Sequence, residues 1–239
     1  MKTDEFKRRM PRCARFDYKG IEDELKEMAA EGWQLEQCDN NGSWMYRKAE
    51  PVNKDFCVVF CKDARYIRYG ETRSQQELEE KMEKQGWEKV GQWNKMLIFS
   101  ADSGTVLPDE ADEYTRLQSA KYALKGTFAA ESLLTFAICM MLALVRIPNA
   151  YKDIQELGAW YYGVDGIFMA VVVSIIVICL AIEIAGFFMW YKKSEENIVN
   201  GGNTASAARI SKMYFYLQKG LYIFIAATVL LSVIAICII

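Results

Sequence analysis

Histidine is missing from this 239-residue chain. Its absence removes the commonest general base and the commonest transition-metal ligand together. Cysteine occurs seven times, an odd number, and no CxxC pair is present. Cys57 and Cys61 are four apart in a predicted strand, which sets them on one face at roughly 13 Å, too far to bridge or to share a zinc ion. All seven read as reduced thiols, which suits a cytosolic soluble half. A large charge of either sign is also missing. The net charge is −2, so no global basic field points to nucleic acid. The opening Met-Lys-Thr-Asp-Glu-Phe-Lys-Arg-Arg lacks an apolar core, so no cleavable signal peptide is expected. No nucleophile–base pair, Walker loop, dinucleotide fingerprint or zinc spacing occurs. The expectation is a protein that is not an enzyme and uses no cofactor and no metal.

What is present in abundance is apolar sequence in the second half. Three stretches, residues 127–145, 166–190 and 221–239, approach the ~20 residues that a helix needs to cross ~30 Å of hydrocarbon. A helix satisfies its own backbone inside lipid, so three membrane-spanning helices are predicted. Residues 101–108 form a small, polar linker. Asp109, Glu110, Asp112 and Glu113 then precede Arg116, Lys121 and Lys125, an order that suits a helix dipole. Tyr114, Leu117, Lys121 and Leu124 recur at three and four. They predict a juxtamembrane helix whose partner the spacing leaves open: the soluble domain, a twin helix or headgroups.

Positive charge sets the orientation. Lys121 and Lys125 stand before the first stretch. The 191–220 loop carries Lys192, Lys193, Arg209, Lys212 and Lys219, while the 150–165 side has only Arg146 and Lys152. The positive-inside rule puts the soluble half in the cytoplasm and the C-terminus outside, in a multi-pass protein of the cell (inner) membrane. Trp160-Tyr161-Tyr162 and Trp190-Tyr191 fall at the two ends of the second stretch, as an aromatic belt requires. Gly201-Gly202-Asn203 makes the inner loop flexible.

The first half is polar and regular. Lys7, Arg8, Arg9, Arg12 and Arg15 form a basic arm. It suits anionic lipid, or more plainly a solvated edge strand, and Asp4 and Glu5 beside it favour the plainer reading. Phe16-Asp17-Tyr18 ends an extended piece. Ile21, Leu25, Met28 and Ala29 share a helix face, and Gly32 stops that helix. Strands at 33–36 and 44–47 flank a turn with an Asn-Gly hairpin signal. A second, imperfect copy follows. Phe56 to Cys61 reads as a central strand, with Tyr66 and Arg68 extending or following it. Ser74 with Glu77 forms a capping box, and Leu78 and Met82 give an apolar stripe. Gly86-Trp87 repeats Gly32-Trp33, Asn94-Lys95 is a tight turn and Met96 starts the return strand.

Two strand–helix–strand–strand units predict an α+β domain of two βαββ-type repeats. One antiparallel sheet is expected, with both helices on its apolar face, followed by an all-α three-helix transmembrane region. The boundaries are 1–101 for the cytosolic domain, 102–126 for linker and juxtamembrane helix, and 127–239 for the membrane part. Gly32, Trp33, Gly86, Trp87 and Trp44 are the candidate binding or structural motif. Core rings behind helix stops are the simpler reading, since an indole buries about 150–250 Å².

The motif Phe16-Asp17-Tyr18, then Glu22-(x2)-Leu25-(x2)-Met28-(x3)-Gly32-Trp33, then a second Gly86-Trp87, resembles an uncharacterised bacterial membrane-protein family. That family carries a domain of unknown function (DUF 2812-like) and is often encoded beside PadR-type regulators. The likeness covers about residues 10–101. It departs where Phe56-Cys57-Val58-Val59-Phe60 replaces an expected tyrosine-containing strand. It implies a membrane-associated partner in regulation or stress response, and it brings no catalytic residues.

Two acids lie in the apolar stretches. Glu131 is a few residues past the inner end of the first. Glu183 is about 10 Å deep in the second. Facing carboxylates can share a proton or bind a cation. The milder reading lets Glu131 reach the interface and pairs Glu183 with Lys219, Lys212 or backbone. Ala181 and Ala185 leave room for a close helix contact. The expected function is a membrane-anchored cytosolic binding or sensory module. Its partners are the lipid bilayer and a protein partner or homo-oligomer, with no nucleic acid. The alternative is a small oligomeric transport or resistance component using the intramembrane acids.

Overall fold

A computed structural model describes residues 5–39, 42–65, 70–108, 112–157, 159–201 and 205–238, without the side chains of 142–172, 205, 222, 225–226 and 228–238. Several readings above lie outside the described residues. They are Asp4, Tyr66, Arg68, Asp109, Glu110, the Asn40-Asn41 pair and Gly202-Asn203, and the side chains of Arg146, Lys152, Trp160-Tyr161-Tyr162 and Cys237.

The element order is β1 (Phe6–Arg9), α1 (Tyr18–Ala30), β2 (Trp33–Cys38), β3 (Trp44–Lys48), β4 (Lys54–Phe60), α2 (Arg73–Lys84), β5 (Glu88–Trp93), β6 (Met96–Asp102), α3 (Glu113–Leu157), α4 (Ala159–Asn200) and α5 (Ala205–Ile238). The strands form two antiparallel sheets, β1-β3-β2 and β4-β6-β5, where one was expected. β4 has one edge covered by α1. Its Val58 N–H is taken by the Glu22 carboxylate of α1 at 2.7 Å, and Lys26 of α1 pairs with its Asp55 at 2.8 Å. A helix lies along that strand edge, so no second sheet can join there. β4 is therefore an outer strand and β6 the central one. The unbroken apolar run of β4 reports burial on both faces, not a central place in the ladder.

Local chemistry explains the helix ends. The Asp17 side chain accepts the Gly20 N–H at 3.1 Å and caps α1. Gly32 and Gly86, at φ +79 and +84, end α1 and α2. The cap of α2 is Thr72, not Ser74. The chain enters the helix earlier than the sequence suggests, and Thr72 accepts the Gln75 N–H. Glu77 pairs with Arg73 at 2.8 Å instead of closing a capping box.

The two sheets share one strand order, and each bulges at the same place, after Leu35 in β2 and after Lys89 in β5. β2 runs beside β5. Gly91 allows the approach, since a Cβ there would stand 3.1 Å from Leu35 Cδ2 and 3.2 Å from Cys38 Sγ. Met82 of α2 buries with Trp87, Leu97 and Phe99 over the second sheet. Ile21, Leu25 and Met28 are buried on α1. The basic arm supplies β1, an outer strand paired with β3.

The helices of the second half are longer than their apolar runs. Residues 150–165, predicted as a loop, are helical except at 158, which is not described; the 191–220 segment is helical outside 201–204. The polar flanks continue the helices, and Gly201 at φ +61 ends α4. Among the described residues, two stretches, Glu113–Met141 and Val173–Asn200, are long and apolar enough to cross a membrane, where three were predicted for the whole chain. The third, 221–239, is helical to Ile238, but most of its side chains fall outside the described ones. The chain forms two compact units. One holds residues 1–125 and 187–212; the other holds 126–186 and 213–239.

Candidate functional site

The polar centre of the first unit is a joint between α1, β4 and the first turns of α3. Asp112 caps α3 by accepting the Thr115 N–H at 3.2 Å. One residue on, Arg116 turns inward and is almost fully buried. Its Nη1 donates to Glu22 Oε1 and lies 3.9 Å from Cys57 Sγ. The guanidinium stands 4.7 Å over the Tyr18 ring. Burial lifts the Glu22 carboxyl above its usual range, against the pull of Arg116 and the Val58 N–H. Burial also raises the Tyr18 phenol, opposed by Arg116, and pushes the Cys57 thiol up to about 12. That thiol stays protonated and unreactive at neutral pH.

Aromatic rings extend the joint to α4. Tyr18 meets Trp190 edge-on at 5.8 Å, and Phe16 meets Trp190 at 5.3 Å and Phe187 at 5.7 Å. Trp190 and Tyr191 are buried here and so are not belt residues as the sequence suggested. The Tyr191 hydroxyl accepts from Gln118 at 3.0 Å and Lys121 at 3.3 Å and donates to Glu195 at 3.1 Å. The buried stripe of α3 is Leu117, Ala120, Ala123 and Leu124, while Tyr114 is exposed.

A second polar lobe reaches α5. Ser211 Oγ, fully buried, accepts the Ala14 N–H at 3.1 Å. Burial raises the Asp17 carboxyl, against the Ser211 hydroxyl and the Gly20 N–H. The Glu24 carboxylate accepts the Arg12 N–H at 2.6 Å and pairs with Arg9 at 3.2 Å; burial raises it too.

The residues singled out from sequence lie elsewhere. Trp87 is buried, and its Nε1–H donates to the Val106 carbonyl at 3.1 Å. Trp33 is only half-buried, with Lys48 Nζ 4.5 Å and Lys7 Nζ 5.2 Å from its ring. The two Gly-Trp motifs thus stop helices alike but use their rings differently. Trp44 is fully buried and meets Trp93 edge-on at 6.0 Å, across the sheets. In the second unit Glu183 accepts from Gln218 Nε2 at 3.2 Å. The Glu131 carbonyl accepts from Thr135 Oγ1 at 2.8 Å. Among the described residues, no cluster of three Cys, Asp or Glu could hold a metal ion.

The Glu22–Arg116 pair spans 94 residues, so helix-start acids and a dipole-suited arginine gave no sign of it. The one available hint was the open partner of the α3 stripe. This arrangement can hold α1, β4, α3 and α4 in one position relative to each other; it offers no activated nucleophile.

Comparison with known proteins gives a family match over residues 17–135, to a family described as Protein of unknown function (DUF2812). The matched span includes both Glu22 and Arg116. No curated protein and no solved structure matches.

Proposed function

Taking as premise that the chain belongs, through residues 17–135, to the DUF2812 family of proteins of unknown function, we propose a non-enzymatic, membrane-anchored binding and sensory module. Its α+β part stands in the cytoplasm and meets a protein partner or a second copy. Three helices, the third within α5, hold it at the inner membrane, and the charge asymmetry of the loops supports this orientation. The matching strand orders and bulges of the two sheets support an internal duplication.

The observation that carries the proposal is the buried joint of Glu22, Arg116, Tyr18 and Trp190. It ties α1 and β4 to α3 and α4 inside one compact unit. A partner that moves α1 therefore strains α3 and α4, and the reverse holds. Such coupling supports the regulatory or stress-response role that the family resemblance implies.

The test is chemical cross-linking of the tagged full-length chain in native membranes, followed by purification. A defined partner or homo-oligomer is expected, and its yield falls in Arg116→Met. Recovery of the bare monomer, with no ligand bound, overturns the proposal.

A further inference from the structure

The helical part of the first unit carries a set of exposed cations: Lys125 on α3, Lys192 on α4, and Arg209 and Lys212 on α5. None of the four makes an ion pair among the described residues, although the Lys212 charge reaches Asp17 and Glu24 and the Lys192 charge reaches Glu196. Their neighbours differ: Lys193 pairs with Glu196 at 2.9 Å, and Lys121 is engaged by Tyr191. Two of the four have an exposed aromatic one turn away on the same helix. Tyr122, three residues before Lys125, is 62% exposed, and Phe188, four before Lys192, is 56% exposed. Arg209 and Lys212 are three apart and share a face of α5. Along the chain, Lys125 and Lys192 belong to the very stretches that are long and apolar enough to cross a membrane.

We propose that Lys125, Lys192, Arg209 and Lys212 form a binding surface for anionic phospholipid headgroups of the inner leaflet. The reasoning rests on the membrane reading above and adds the partner to it. Lysine and arginine stems lie along apolar surface while their heads reach phosphate. Tyr122 and Phe188 supply a ring at headgroup level beside two of those heads. A cation near an anionic leaflet strengthens attachment by roughly fivefold per residue, and salt weakens the effect. An acidic protein would also meet the cations, but the apolar sequence that follows Lys125 and the one that precedes Lys192 favour lipid.

The test uses the full chain reconstituted in vesicles of phosphatidylcholine and phosphatidylglycerol. Spin-labelled analogues of each lipid report the fraction immobilised by the protein. The parent is expected to prefer phosphatidylglycerol several-fold, less so at high salt. The quadruple variant K125Q/K192Q/R209Q/K212Q is expected to show a ratio near one. The pairs K125Q/K192Q and R209Q/K212Q, gentler on folding, should each lose part of the preference. A parent ratio near one, even with an acidic protein captured instead, overturns the inference, as does undiminished preference in both pair variants. Release of the parent from vesicles by alkaline wash overturns the membrane reading itself, whereas a parent that stays without preference overturns the lipid surface alone.

Discussion

Asp17 caps α1, is buried beside Ser211 and sits with its carboxyl above the usual 3.8. The folded chain therefore keeps a proton that the unfolded chain gives up. The stability from that proton is fully present below the unfolded value and is lost as pH rises through the folded value. Asp17→Asn still caps the helix but has no such proton. Relative to Asp17→Asn, the parent should lose stability with rising pH across that window, read as thermal midpoints; parallel courses would remove the assignment. Glu22 and Arg116 are a buried pair, so losing one partner strands a charge. Arg116→Met should cost about 3–5 kcal/mol in the unfolding midpoint, and adding Glu22→Gln should recover part of it. An additive double variant would show that the two do not act together. Glu183→Gln keeps an acceptor for Gln218 and should leave partner capture unchanged; lost capture would show that Glu183 takes part in it. At this scale the sequence showed residue types but not partners, because the acids of α1 answer to groups dozens of residues away.

Elements were more legible than their assembly. Gly32 and Gly86 marked the helix stops, and Asn94, at φ 56, marked the tight turn. Cap chemistry misled at α2, where Thr72 and Ser74 both qualify by type. Burial of β4 on two faces suggested a central strand, because covering by a helix and covering by strands leave the same apolar pattern. Gly32 and Gly86 also yield a comparison. Both need a left-handed backbone, but a Cβ on Gly32 would meet the Ala49 carbonyl at 2.8 Å, whereas on Gly86 the nearest atom is Thr105 Cγ2 at 3.9 Å. Gly86→Ala should cost about 1–2 kcal/mol from backbone strain alone, and Gly32→Ala clearly more. Equal losses in denaturant midpoint would contradict the tight contact.

At the scale of the whole molecule, the division falls within the long helices. Hydropathy started the oily part at residue 127, after a linker and juxtamembrane helix at 102–126, and the first compact unit runs to residue 125 but also takes in residues 187–212. Apolar counting locates hydrocarbon-length runs and is blind to polar helical extensions that fold with the other half. The proposed membrane setting can be tested at Glu50, an exposed residue of the α+β part. Glu50→Cys is labelled with a membrane-impermeant maleimide in intact cells and in inverted vesicles, with the native thiols as background. Labelling confined to inverted vesicles, on protein that alkaline wash leaves in the membrane, is the predicted result. Labelling in intact cells, or release of the chain into the wash, would contradict it.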